Sequence, residues 1–150
     1  MLRQYDLVAI PALDASNPDH YPSAIEAWRL HHSLHRRPSG GWARLKIGVV
    51  LGTNEPESAW NAFRFAVKAL DSGHTVRLFL LGPGVECESI HHDAYDVPGQ
   101  MQAFADRGGV LLACGTCLRS RQMKGSDLCP ISTMQDLVDL TTWADRALTF

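Results

Sequence analysis

The chain has 150 residues, 45% of them apolar and 20% charged, with a formal net charge of −2. That length suits one domain with a real core, and the composition is ordinary for a soluble globular protein. The charge balance gives no sign of a nucleic-acid or membrane-surface partner. No apolar run approaches the roughly 18 residues of a membrane helix. The stretch Met1 to Pro11 is a poor signal peptide, with one Arg, one acid and only a brief apolar run. A cytoplasmic location is therefore expected. In that setting Cys87, Cys114, Cys117 and Cys129 read as reactive, metal-binding or simply buried, rather than as a disulfide framework.

Residues 1–44 read as an N-terminal extension, and residues 45–150 as an α/β domain. The extension holds Pro11, Pro18, Pro22 and Pro38. It carries one helix signal, the capping-box spacing of Ser23 and Glu26 followed by Ile25, Trp28, Leu30 and Leu34. Pro38-Ser39-Gly40-Gly41 then reads as a linker. Leu45–Leu51 predicts a first strand, ended by Gly52-Thr53-Asn54. Pro56 suits the first turn of a helix. Trp60, Phe63, Val67 and Leu70 recur at helical spacing, with Ala59, Ala62 and Ala66 beside them and Gly73 as the stop.

Val76–Leu81 predicts a second strand, broken by Gly82-Pro83-Gly84, and residues 85–96 read as irregular. Val97–Arg107 predicts a helix with Met101, Phe104 and Ala105 on one face. Val110–Ala113 predicts a third strand, and Leu128–Ile131 a fourth, short one. Ser132 and Gln135 have capping-box spacing ahead of a stripe of Met134, Leu137, Val138 and Thr141, flanked by Leu140 and Trp143. Ala147–Phe150 closes as a fifth strand. Strands apolar on both faces, alternating with helices, imply an open, mostly parallel sheet with helices on both faces. In such sheets the site lies at the carboxyl ends of the strands.

Cys114 and Cys117 stand at such an end, between an apolar run and the basic residues Arg119, Arg121 and Lys124. A helical turn beginning after Cys114 would aim unpaired N–H groups and a helix dipole at the sulfurs. With the nearby arginines, that can lower a thiol pKa from about 8.5 to roughly 4–7, and the thiolate is the nucleophile. The plainer alternative is a pair of small buried residues. Three chemistries use such a pair. A persulfide relay accepts and passes on sulfane sulfur. Dithiol–disulfide exchange is the second, although no Trp precedes this pair and Gly-Thr replaces the usual Gly-Pro. The third is metal binding, for which the single Cys87 and Cys129 are a weak complement.

The remaining candidates are weaker. Cys87, between Glu86 and Glu88, is expected to have a raised pKa and a bystander or helper role. Cys129 is expected to pack in the core or line the edge of the site. Gly52-Thr53-Asn54 offers an anion position at a helix start but lacks a nucleotide fingerprint, so no cofactor is expected. His31, His32 and His35 read as a solvated face. His91 and His92 read as an exposed loop, or as proton carriers if that loop folds over Cys114. Arg119, Arg121 and Lys124 are either a solvated face or an attraction for an anion or partner.

Four stretches, taken together, carry a family resemblance. They are Lys46–Val50 with the Trp60–Leu70 helix, Val76–Leu81 with its loop, Val110–Arg121 with Cys-Gly-Thr-Cys, and Ala144–Phe150. They resemble the DsrE/DsrF/TusD sulfur-relay family, and within it the small YchN-like proteins, over about residues 45–150. The resemblance implies assembly into homotrimers or homohexamers, sites near subunit contacts, and work with sulfur donor and acceptor proteins. It also implies a persulfide-carrying cysteine, matched here by Cys114. Cys117 matches a second cysteine of the YchN-like branch and departs from the single-thiol pattern. Its role as resolving thiol, disulfide partner or sulfur bearer stays open. The expected function is a sulfur carrier or sulfurtransferase-like relay. The alternatives are a non-enzymatic oligomeric binding or regulatory module with structural or metal-ligating thiols, and a dithiol oxidoreductase.

Overall fold

A computed structural model describes residues 43–150. The readings on residues 1–42, among them the Ser23–Glu26 cap, the three histidines and the Pro-Gly linker, lie outside the described residues. The elements run β1 (Lys46–Leu51), α1 (Pro56–Asp71), β2 (Thr75–Leu80), a 3-10 segment (Gly82–Ser89), α2 (Val97–Asp106), β3 (Val110–Cys114), α3 (Gly115–Ser120), β4 (Ile131–Ser132), α4 (Met134–Trp143) and β5 (Arg146–Thr149). Among the described residues no helix is long and apolar enough to cross a membrane.

The five strands form one sheet in the order β4-β3-β2-β1-β5, and every pair is parallel. Chain progress from β1 to β4 runs one way across the sheet, and β5 returns to the far side of β1. Right-handed crossovers therefore place α1 and α2 on one face and α4 on the other. The central β2 buries Val76, Leu78, Phe79 and Leu80, which is why it reads as apolar apart from Arg77. Phe63, Phe79 and Phe104 are fully buried, and each contributes about 1.5–3 kcal/mol by leaving water.

Local signals explain most boundaries. Glu55 caps α1, its carboxylate accepting the Glu57 and Ser58 N–H groups at 3.1 and 2.7 Å. Asp96 caps α2 through the Gly99 N–H at 2.9 Å. The buried stripe of α1 is Ala59, Ala62, Phe63, Ala66 and Ala69. Trp60, Val67 and Leu70 are only partly buried, so the helix is rotated from the predicted face. The small alanines let the helix backbone approach the sheet, while Trp60 lies at the rim, stacked against Tyr95 and under Arg64.

Three expectations at the end of the chain shift. The fourth strand is Ile131–Ser132, not Leu128–Ile131. The cap of α4 is Thr133 with Asp136, not Ser132 with Gln135. Two cap spacings overlap one residue apart, and the ionised Asp136 is the stronger acceptor, taking the Thr133 N–H at 2.6 Å. Ser132 is instead buried in the sheet beside Cys114. The stripe of α4 also differs, since Met134 and Val138 are exposed and Leu140 is fully buried. Leu140 sits directly over Gly48 of β1. A Cβ there would lie 2.5 Å from Leu140 Cδ2 and 3.2 Å from Ala144 Cβ.

That contact is testable. Leu140→Ala is expected to cost about 2–5 kcal/mol through the cavity it leaves. Gly48→Ala alone is expected to cost about 1–3 kcal/mol by overpacking. In the double variant the added methyl occupies part of the void, so urea unfolding should show a loss smaller than the sum. Strict additivity would contradict the packing.

Candidate functional site: a thiol pair at the carboxyl edge of the sheet

The apolar run of β3 ends at Cys114, which is both the last strand residue and the N-cap of α3. Cys117 follows one turn later. Cys114 is 3% exposed, and Cys117 is half-buried. The sulfur of Cys114 closes no capping hydrogen bond. The N–H groups of Thr116 and Cys117 act on it as aimed dipoles rather than as a closed cap.

The two thiols differ in charge. Burial pushes the Cys114 thiol up, but it is outweighed by the Cys117 thiol hydrogen, the Cys117 and Thr116 N–H groups and the Arg119 charge. The net shift of Cys114 is down. Arg119 is held over the turn by a 3.1 Å bond from its Nη2 to Thr116 Oγ1. Cys117 moves up. Burial is the main cause, and donating its hydrogen to Cys114 adds to it. The Gly82 N–H, which donates to Cys117 Sγ at 3.2 Å, and the Arg121 charge pull the other way.

The other two thiols stand apart. Burial pushes Cys87 up to about 12, with smaller contributions from Cys129 and Glu86. Its Sγ faces the Thr53 carbonyl at 3.8 Å. Burial likewise pushes Cys129 up to about 12, with Glu88 adding. The acidic neighbours act in the expected direction, but desolvation dominates. Cys114 and Cys117 thus influence each other, and Cys129 acts on Cys87. Among the described residues no three His, Cys, Asp or Glu side chains group as metal ligands.

The loops around the pair are tied together. Glu86 accepts from Asn54 Nδ2 at 2.6 Å and from Arg121 Nε at 2.6 Å, joining the loop after β1 to the end of α3. Arg121 Nη1 also reaches the Cys117 carbonyl at 3.4 Å. Ser126 donates to Glu88 at 2.8 Å and accepts the Cys129 N–H at 3.0 Å, which anchors the approach to β4. The sequence reading missed Gly82 and Glu86 in these roles. It takes Gly82 as a strand break and Glu86 as a neighbour of Cys87. The signal lay in their position just after a strand adjacent to β3.

Other candidates are placed elsewhere. The α1 start above Gly52-Thr53-Asn54 does not present free N–H groups for an anion, because Glu55 occupies them. His92 stacks on Tyr95 at 4.8 Å and accepts the Ala94 N–H through Nδ1 at 3.1 Å, so it is part of the loop packed beside α1. Lys124 is exposed.

An all-parallel α/β sheet with a thiol at the carboxyl end of β3 defines the class of protein. Residues 46–150 match the DsrE/DsrF-like family, and the chain belongs to it. That family is associated with sulfur relay. An uncharacterised protein of Methanocaldococcus jannaschii is 33% identical over 115 residues, covering 71% of this chain and all of that protein. One of Methanopyrus kandleri is 30% identical over 100 residues, covering 63% of this chain and 83% of its own length. The crystal structure of the YchN protein from E. coli has the same fold, with a TM-score of 0.63 at 23% identity, over 71% of this chain and 99% of that one.

The thiol order can be read by alkylation with iodoacetamide against pH. Cys114 is expected to react with a midpoint below that of an ordinary cysteine, and Arg119→Ala to move it upward. Cys87 and Cys129 are expected to stay unmodified in the folded protein until the pH nears about 12. A Cys114 midpoint above that of Cys117 would contradict the charge assignment.

Proposed function

We propose that the protein is a sulfur carrier of the sulfurtransferase type. Cys114 accepts sulfane sulfur as a persulfide and hands it to a partner protein, and Cys117 assists. The observation that carries this reading is the place of Cys114, last residue of β3 and N-cap of α3, beneath a turn over which Arg119 is held by Thr116; the direction of its shift, down, agrees. A thiolate is what attacks sulfane sulfur, and the same N–H dipoles and Arg119 favour the persulfide anion that results. Exposure favours Cys117 instead, but its proton is held by the neighbouring Cys114. Family membership supports a relay in which donor and acceptor are proteins, acting in the cytoplasm where thiols stay reduced.

Self-association belongs to the same reading. Val110 of β3 is 43% exposed, and Met134 and Val138 of α4 are 57% and 48% exposed. A homotrimer or homohexamer would take such apolar surface out of water.

Incubation with a persulfide donor, followed by intact mass measurement, tests the carrier role. Wild type is expected to gain one sulfur, and Cys114→Ser to gain none. A gain that survives Cys114→Ser and disappears in Cys117→Ser would reverse the two roles. A wild type that neither gains sulfur nor loses two hydrogens to a Cys114–Cys117 disulfide would end the proposal.

A further inference from the structure

A carrier needs one thiol, yet the Gly82 N–H is spent on the second. It donates to Cys117 Sγ at 3.2 Å, from a residue at φ 54 that a side chain would strain. Arg121 stands on the same side, held by Glu86 and bonded to the Cys117 carbonyl. Both groups favour negative charge on Cys117 rather than on Cys114. Cys117 lies one helical turn from Cys114, within reach of a bridge after a small adjustment of that first turn.

We propose that the pair releases hydrosulfide. Once Cys114 carries a sulfane sulfur, Cys117 attacks the Cys114 sulfur, closes a Cys114–Cys117 disulfide and expels the outer sulfur as HS⁻. The inference rests on Cys114 being the persulfide carrier.

The step balances without a further reactant. The Cys117 thiol hydrogen passes to the outer sulfur. The electron pair left on Cys117, steadied by the Gly82 N–H, forms the new S–S bond. The old S–S pair departs with HS⁻. The outer sulfur gains two electrons, and the two cysteine sulfurs lose one each. Return to the dithiol requires a low-potential dithiol reductant, which then drives a second round.

Loading also removes what keeps Cys117 quiet. After burial, its restraints are the hydrogen it donates to Cys114 and the charge on that sulfur. In the persulfide, that charge moves to the outer atom. The Gly82 N–H and Arg121 remain in place. An acceptor protein that takes the sulfur first competes with this discharge, so the pair sets a lifetime on the cargo.

The test uses full-length wild type and Cys117→Ser, loaded with glutathione persulfide and freed of donor by gel filtration. Wild type is expected to lose the added sulfur together with two hydrogens, and to free one equivalent of HS⁻. The rate should not depend on protein concentration, and a Cys114–Cys117 linked peptide should accumulate. Cys117→Ser is expected to keep its sulfur. Wild type that retains sulfur as long as Cys117→Ser and frees no HS⁻ overturns the discharge and leaves the carrier reading intact. Wild type that neither gains sulfur nor frees HS⁻ overturns both. The wild-type measurement alone decides, even if the variant folds poorly.

Discussion

The carboxyl edge of the sheet depends on how closely the Gly82–Ser89 segment lies on the end of β1. Gly84 is pressed against the Leu51 carbonyl oxygen, where no Cβ could fit. The Leu81 N–H bonds the same oxygen at 2.9 Å, and the Gly84 N–H bonds Leu81. This seating places the Gly82 N–H at Cys117 and Glu86 between Asn54 and Arg121. A side chain at Gly84 would lift the segment and loosen both. The thiol environment is therefore built from backbone approach first and from charged side chains second.

Four cysteines share this edge, and desolvation sorts them. Cys87 and Cys129 sit where no cation offsets burial, so they remain small apolar residues with an inert hydrogen. Cys114 is also buried, but N–H dipoles and Arg119 overcome the penalty. The Glu86–Arg121 pair is partly exposed and adds little to stability. Its contribution is to position: it aims one cation at the carbonyl of Cys117 and leaves Arg119 to Cys114.

The sheet was legible because β1, β2 and β3 are apolar on both faces and are separated by Pro- and Gly-marked helices. The strand-end thiols followed from the same pattern. What escaped was set by tertiary contact. The 3-10 segment has no periodicity, with only Val85, Cys87 and Gly84 buried, and it holds its shape by resting on Leu51. The α4 stripe misled because Met134 and Val138 are apolar yet face outward, while Leu140, with Ala144 beside it, fills the space above Gly48. Glu86 could not be seen as a bridge, since its partners lie 32 and 35 residues away. The overlapping Ser132 and Thr133 caps needed the register of β4 to choose between them.

The shortness of β4 restricts the route by which a macromolecule approaches Cys114. An edge of two residues offers too few free N–H and C=O groups to template another strand. Among the described residues, the nearer margin of the sheet thus offers little to β-augmentation. On the proposed relay reading, a partner would meet the thiols end-on, across the loops that follow β1, β2 and β3, and would read side chains such as Arg119 rather than a backbone ladder. Recognition by charge and shape at loops speeds encounter, which would suit the proposed carrier role.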